Sequence, residues 1–253
     1  MSTYLGPNEP NPVKDGLICY LDAQNSLSYS GSGSVWNNLV GLSNADLLNT
    51  PTYVTTPNPS FSLDGVNEYI VTSGLANVMT TAQKEGELTY EYWLKPTGSI
   101  TAGLTQSNTG ALFYTSTDIP QGLGGDLGYG TSSTYVGFGF AMGVNGFLLG
   151  VHKTDYAPII LVDYRNLIGI QHLVVIKSIN NCSYYINGEL MKTSLTIAGG
   201  ATIIGDTFKN VTARTNAFTT YFSGEIYVSR FYTRRLTDSE IIRNYNCEKY
   251  RYI

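Results

Sequence analysis

The chain has 253 residues, 42% of them hydrophobic, with a formal net charge of −4 and only 13% charged residues. That balance excludes a disordered polyelectrolyte, and without Lys/Arg clusters it argues against a protein that grips nucleic-acid phosphates. Gly (27) and Tyr (20), with many Ser, Thr and Asn, instead suit one large domain of strands joined by turns. Cys19, Cys182 and Cys247 cannot all pair within one chain and form no CxxC, which predicts reduced thiols made in a cytoplasm. The opening residues, MSTYLGPNEPNPVKDG, carry neither a basic nor an apolar leader region, so no signal peptide is expected. No apolar run reaches the length of a membrane helix.

Residues 1–15 place Pro7, Pro10 and Pro12 among Gly and Asn, which predicts an extended arm outside any core, followed by a domain over residues 16–253. GLICYLDA at 16–23 predicts a first strand with Leu17, Cys19 and Leu21 on one face and Ile18, Tyr20 and Asp22 on the other. Gly31 and Gly33 then make a turn with Trp36 and Leu39 beneath it. ELTYEYWLKP at 87–96 predicts a long strand, with Leu88, Tyr90, Tyr92 and Leu94 on one face and Glu87, Thr89, Glu91 and Trp93 on the other. Pro96 ends it for want of an amide proton. Residues 133–153 predict a hairpin turning at Val144-Asn145-Gly146, and 158–164 a further strand. Within 171–190, His172 begins a strand, Asn180-Asn181 turns the chain, and Asn187-Gly188 makes a second tight turn. ATIIG at 201–205 predicts another strand.

GEIYVSRFY at 224–232 predicts the closing strand, with a bulge around Arg230 where the alternation breaks. Thr237, with Glu240 three residues on, forms a capping box, and Ile241, Ile242 and Tyr245 give the helix behind it an apolar stripe. A helix of about nine residues is not stable alone in water, so it must dock on something. About twelve to fourteen strands in all suit two antiparallel sheets packed face to face.

Several of these segments carry a family pattern: GLICYLDAQNSLSYSGSGSVWNNL at 16–39, FSLDGVNEYI at 61–70, ELTYEYWLKP at 87–96, QHLVV and SYYINGEL within 171–190, and FYTRRLTDSEIIRNYN at 231–246. Together they resemble the laminin-G-like domains of the concanavalin A-like lectin/glucanase class, in a subgroup associated with tailed bacteriophages. Residues 97–170 carry none of the resemblance. It implies an all-β, concanavalin A-like jelly-roll β-sandwich of two antiparallel sheets with one short C-terminal helix, and makes FSLDG and VNEYI a hairpin. It further implies a non-enzymatic virion structural protein: an outer decoration, neck, tail or fibre component assembled in the host cytoplasm. The arm would contact capsid, neck or tail proteins. Homo-oligomers and a polysaccharide are further candidate partners; nucleic acid and membrane are not expected. The alternative is a carbohydrate-binding lectin module.

Three candidate sites follow. Glucanases of this class use E-x-D-x-E on one strand, so that three acids on a face tune each other's protonation. Here the strand reads Glu87-x-Thr89-x-Glu91, with the central acid missing, and catalysis is not expected. Trp93 on the same face suits stacking on a sugar, as do the loop tyrosines Tyr114, Tyr129, Tyr135 and Tyr156, with Tyr164 a further candidate beside them. Asp22, Asp64, Asn67 and Glu68 stand at strand ends where related domains hold Ca²⁺; the competing reading is that the aspartates accept turn amide protons. His152 and His172 lack a second ligand at zinc spacing, and no G-x-S-x-G is present.

Overall fold

The computed structural model describes residues 11–41, 43–80, 82–83, 86–98, 111–116, 137–152, 159–178, 181–193, 209–212 and 221–252. Among them lie sixteen strands. The first six are β1 (Leu17–Asp22), β2 (Val35–Trp36), β3 (Ala45–Leu48), β4 (Thr52–Val54), β5 (Ser60–Asp64) and β6 (Tyr69–Ser73). β7 (Leu88–Pro96), β8 (Ala111–Ser116), β9 (Gly137–Gly143), β10 (Gly146–His152) and β11 (Ile159–Tyr164) follow. The last five are β12 (Gln171–Lys177), β13 (Cys182–Ile186), β14 (Glu189–Thr193), β15 (Lys209–Thr212) and β16 (Ser223–Tyr232). Helix α1 (Asp238–Glu248) closes the fold. The expected strand at 201–205 lies outside the described residues.

The strands form two eight-stranded antiparallel sheets. One has the order β14-β13-β12-β7-β16-β5-β4, with β1 on the same side of β16 as β5. β16 divides that edge: Ser223–Ile226 pairs with β5, and Val228–Tyr232 pairs with β1. The second sheet runs β11-β10-β9-β8-β15-β6-β3-β2. Their inner faces meet. Phe147 of β10 stacks on Tyr184 of β13 at 4.4 Å, and Trp36 of β2 meets Phe61 of β5 at 4.7 Å. Leu88, Tyr90, Tyr92 and Leu94 of β7 lie in this core as their spacing predicts, and so do Cys19 and Leu21 of β1; Leu17, expected beside them, packs on the opposite face and Ile18 on the core side, because the register of β1 shifts between Leu17 and Cys19. The three cysteines are unbridged and buried.

Four further local expectations need correction. The bulge in β16 sits at Tyr227, between Ile226 and Val228, rather than at Arg230. Ile226 and Phe231 both enter the core, and an odd separation of five residues requires one extra residue between them. FSLDG and VNEYI are not a hairpin: the Gly65 turn carries the chain from β5 in one sheet to β6 in the other. Its φ of 73° is a left-handed conformation that glycine adopts without strain. The β9–β10 turn consists of Val144 and Asn145 alone, since Gly143 pairs with Gly146. The Asn187-Gly188 turn forms as expected, with φ of 53° and 82° at the two positions.

The fourth correction concerns the arm. Residues 1–10 lie outside the described residues, but residues 11–15 are held against α1. Val13 is buried among Val174, Ile176, Tyr185, Tyr232, Leu236 and Ile241. Its amide donates to Asn244 Oδ1 at 2.8 Å, Arg243 Nε donates to the Asn11 carbonyl at 3.1 Å, and Arg234 pairs with Asp15 at 2.7 Å. An arm expected outside the core is thus in part core.

Helix α1 begins at the expected capping box: the Thr237 hydroxyl accepts from the Glu240 amide at 3.3 Å, and the Glu240 carboxylate accepts from the Thr237 amide at 2.8 Å. It runs eleven residues. Its buried face is Ile241, Asn244, Cys247 and Glu248, whereas Ile242 is 47% exposed. Half of the docking surface is therefore polar, which the apolar stripe did not predict. Thr237→Ala should lower stability by about 1 kcal/mol, because the N-terminal amides lose their acceptor. Urea unfolding of both proteins checks this; equal midpoints would show the cap to be energetically idle.

Candidate functional site

The outer face of β7 presents Thr89, Glu91 and Trp93 beneath α1. Alternation along the strand puts them there, and all three are fully buried. Thr89 Oγ1 donates to the Arg234 carbonyl at 2.8 Å and accepts from the Leu236 amide at 3.0 Å, which fastens the segment leading into the helix. Trp93 stacks on Tyr245 at 5.8 Å with planes 15° apart, and also meets Tyr252 and His172. Its indole N–H donates to Glu248 Oε2 at 2.9 Å.

Glu91 is the centre of the face. Its Oε1 lies 2.9 Å from Arg230 Nη1 of β16 and 2.9 Å from His172 Nε2 of β12. Its Oε2 accepts from Asn244 Nδ2 at 2.8 Å and from the Tyr232 hydroxyl at 3.1 Å. An ionised carboxylate only accepts, so His172 Nε2 carries the proton in this contact. Arg230 also pairs with Glu248 through Nη2. Arg251 bonds Glu248 at 3.3 Å and grips both oxygens of Asp22, at 2.7 and 2.9 Å. The Arg230 guanidinium lies 4.4 Å above the Tyr20 ring. The result is a chain of alternating charges, Glu91–Arg230–Glu248–Arg251–Asp22, reaching from the sheet face across the helix to the end of β1.

This arrangement has a definite electrostatic consequence. Burial alone would push the Glu91 carboxyl up. The Arg230 charge, the hydrogen bond and charge of His172 and the Asn244 bond outweigh it and bring the carboxyl down to about 2. A carboxylate held so low is ionised at neutral pH, has no proton to donate, and has both oxygens engaged by buried donors. Glu87, the other outer acid, lies before β7 begins, and Thr89 stands where a central acid would be.

The expected site residues fare differently. Trp93 was expected to face a ligand; that is corrected, because it is sealed beneath Tyr245 and Tyr252. At Asp22, Asp64, Asn67 and Glu68, the candidate calcium positions, the aspartates accept turn amide protons, as the competing reading expects. Asp22 is taken by Arg251 and the Gln24 amide. Asp64 Oδ1 accepts the amides of Val66, Asn67 and Glu68, and Glu68 Oε2 accepts the amide of Asp64 at 2.8 Å. Among the described residues no group of three or more acids, histidines or cysteines could hold a metal ion. Tyr114 lies on β8 and Tyr164 on β11, with side chains outside the described set; Tyr129, Tyr135 and Tyr156 lie outside it altogether. Sequence reasoning missed Arg230, Asn244, Glu248 and Arg251. The available signal was an arginine inside an apolar strand, with Asn244 and Glu248 one turn apart on the helix face that also carries Ile241.

Replacing Glu91 tests the cluster. Glu91→Gln should cost roughly 3–5 kcal/mol, because it takes from the buried Arg230 one of its two anions and from His172, Tyr232 and Asn244 a charged acceptor. The pH dependence has a fixed sign. The native carboxyl titrates at about 2 and the unfolded one near 4.5, so its stabilising contribution is full above 4.5 and disappears as the pH falls toward 2. Acid unfolding followed by tyrosine and tryptophan fluorescence should steepen across that window in the wild type and flatten in Glu91→Gln. The same slope in both would show that Glu91 is not the group being lost.

Comparison with known proteins places this architecture. A laminin G-type family model, described as the concanavalin A-like lectin/glucanases superfamily, matches residues 64–242. No curated protein matches in sequence. Among solved structures, Trypanosoma rangeli sialidase in complex with 2,3-difluorosialic acid aligns with a TM-score of 0.62 at 18% identity, over 92% of this chain and 33% of the sialidase. The receptor binding domain of botulinum neurotoxin C/D mosaic serotype aligns with a TM-score of 0.60 at 12% identity, over 91% of this chain and 51% of that one. The binding domain of botulinum neurotoxin DC in complex with rat synaptotagmin II gives 0.62 at 11% identity, over 91% and 51%. This chain therefore spans about a third of the sialidase and about half of the neurotoxin chains, and the likeness is one of fold. The chain belongs to the laminin G-like family of the concanavalin A-like lectin/glucanase superfamily.

Proposed function

We propose that this chain is a non-enzymatic, lectin-like structural component of a tailed-phage virion, carried on the outside of the head, neck or tail and assembled in the host cytoplasm. One observation carries the non-enzymatic reading: Glu91, the acid of β7 whose spacing from Glu87 resembles a glucanase pattern, is covered by α1 and held by four donors. The virion reading is supported by the phage-like pattern at 16–39 and by three buried, unbridged thiols, which suit a reducing compartment. Because residues 11–15 are engaged by α1, contact with capsid, neck or tail proteins falls to residues 1–10.

A carbohydrate-binding module is the second reading, favoured by the likeness to a binding domain of botulinum neurotoxin DC in complex with SialylT. On that reading the ligand is held by Tyr114 of β8 and by Tyr129, Tyr135 and Tyr156 rather than by Trp93.

Quantitative mass spectrometry of purified particles from the source virus tests the first reading, with many copies per particle expected. If the chain occurs only in the lysate of infected cells, the virion assignment fails. A glycan array then decides the second: signal abolished by Tyr129→Ala or Tyr135→Ala supports it, and signal unchanged in both removes these tyrosines from it.

A further inference from the structure

Lys177, the last residue of β12, is only 1% exposed although it lies on the inner face of its sheet. Alternation decides the face: Leu173 and Val175 enter the main core, whereas Val174 and Ile176 pack toward α1. Opposite Lys177 in the antiparallel ladder is Cys182, fully buried in the same core. The Ser178 amide donates to the Asn181 carbonyl at 2.7 Å across the turn, which makes 178 and 181 a hydrogen-bonded pair. The next pair, Lys177 and Cys182, is then a non-hydrogen-bonded one, the kind in which facing side chains approach most closely.

The two side chains stand on facing positions of the ladder and are both buried in the same core. Lys177 Nζ donates to the Gly86 carbonyl at 3.2 Å, which anchors the amine at this end of the core. Burial pushes the Lys177 ammonium down to about 8, so a fraction of the amine keeps its lone pair near neutral pH. Burial likewise pushes the Cys182 thiol up to about 12, which disfavours the thiolate chemistry of disulfide exchange and metal binding.

We propose that Lys177 and Cys182 form a redox modification site, at which dioxygen joins them through a single bridging oxygen as an S–O–N crosslink. The step balances. The thiol S–H and one amine N–H break, S–O and O–N bonds form, and the second oxygen atom leaves as water with the two released hydrogens. Sulfur and nitrogen each give up two electrons, and the four reduce one dioxygen. The bridge ties β12 to β13 covalently at the turn between them, and reduction returns the free thiol and amine.

The experiment uses the full chain, held in air-saturated buffer or under dithiothreitol and followed by intact mass and peptide mapping. The expected result is a gain of about 14 Da, one oxygen added and two hydrogens lost, in a linked peptide containing both residues. Dithiothreitol should remove it. The gain should persist in Cys19→Ser and vanish in Cys182→Ser and Lys177→Arg. Mapping of the wild-type protein locates the link without reliance on any variant. A Cys182 that stays a thiol, or gains oxygen with no linked peptide, overturns the proposal, as does a gain of the same mass in Lys177→Arg.

Discussion

The carboxylate of Glu91 is the constraint on which the outer half of this molecule is built. An isolated charge at that depth would cost many kcal/mol, so it persists only because each oxygen receives two donors. Those donors come from β12, β16 and α1, and Asn244 passes the link on to the arm through the Val13 amide. Arg230 then requires a second anion, which Glu248 supplies. One buried acid thereby dictates the neighbours of four segments far apart in sequence.

The same constraint explains why β7 has two different faces. Inward, Leu88, Tyr90, Tyr92 and Leu94 meet the second sheet by apolar contact, which tolerates many sequences of similar volume. Outward, Thr89, Glu91 and Trp93 each need a particular partner: backbone groups at Arg234 and Leu236, the Arg230 guanidinium, and the Glu248 carboxylate. Glu91, the one acid on this strand, therefore serves architecture. The outer side of β7 is the floor of a helix-covered layer.

This division also accounts for what could be read beforehand. Strands, inner-face residues and the Thr237–Glu240 cap were legible because they follow from local periodicity and from hydrogen bonds three residues apart. The crossing of the chain between sheets at Gly65 was not, because the turn residues of a hairpin and of a crossover look alike. The bulge was legible as broken alternation, but its position depended on which apolar residues the core would accept. Burial of Trp93 and Val13 was hidden for a further reason: the covering residues, Tyr245 and Tyr252 for one and Ile241 for the other, lie more than a hundred residues away.

Register is the remaining question for a helix with so thin an apolar stripe. Ordering its eleven residues costs on the order of 10 kcal/mol, whereas burying one isoleucine returns only about 2. Ile241 alone would also tolerate rotation of the helix about its axis, since Ile242 lies beside it. The polar contacts do not. A turn by one residue, roughly 100°, would carry Asn244 away from Glu91 and bring Arg243 or Tyr245 in its place. It would also withdraw Glu248 from Arg230 and Trp93, leaving the guanidinium one anion short and the indole N–H without its partner. The ion chain thus excludes alternative seatings more strongly than it favours docking as such. That selectivity makes a short, half-polar helix a fixed part of the sandwich.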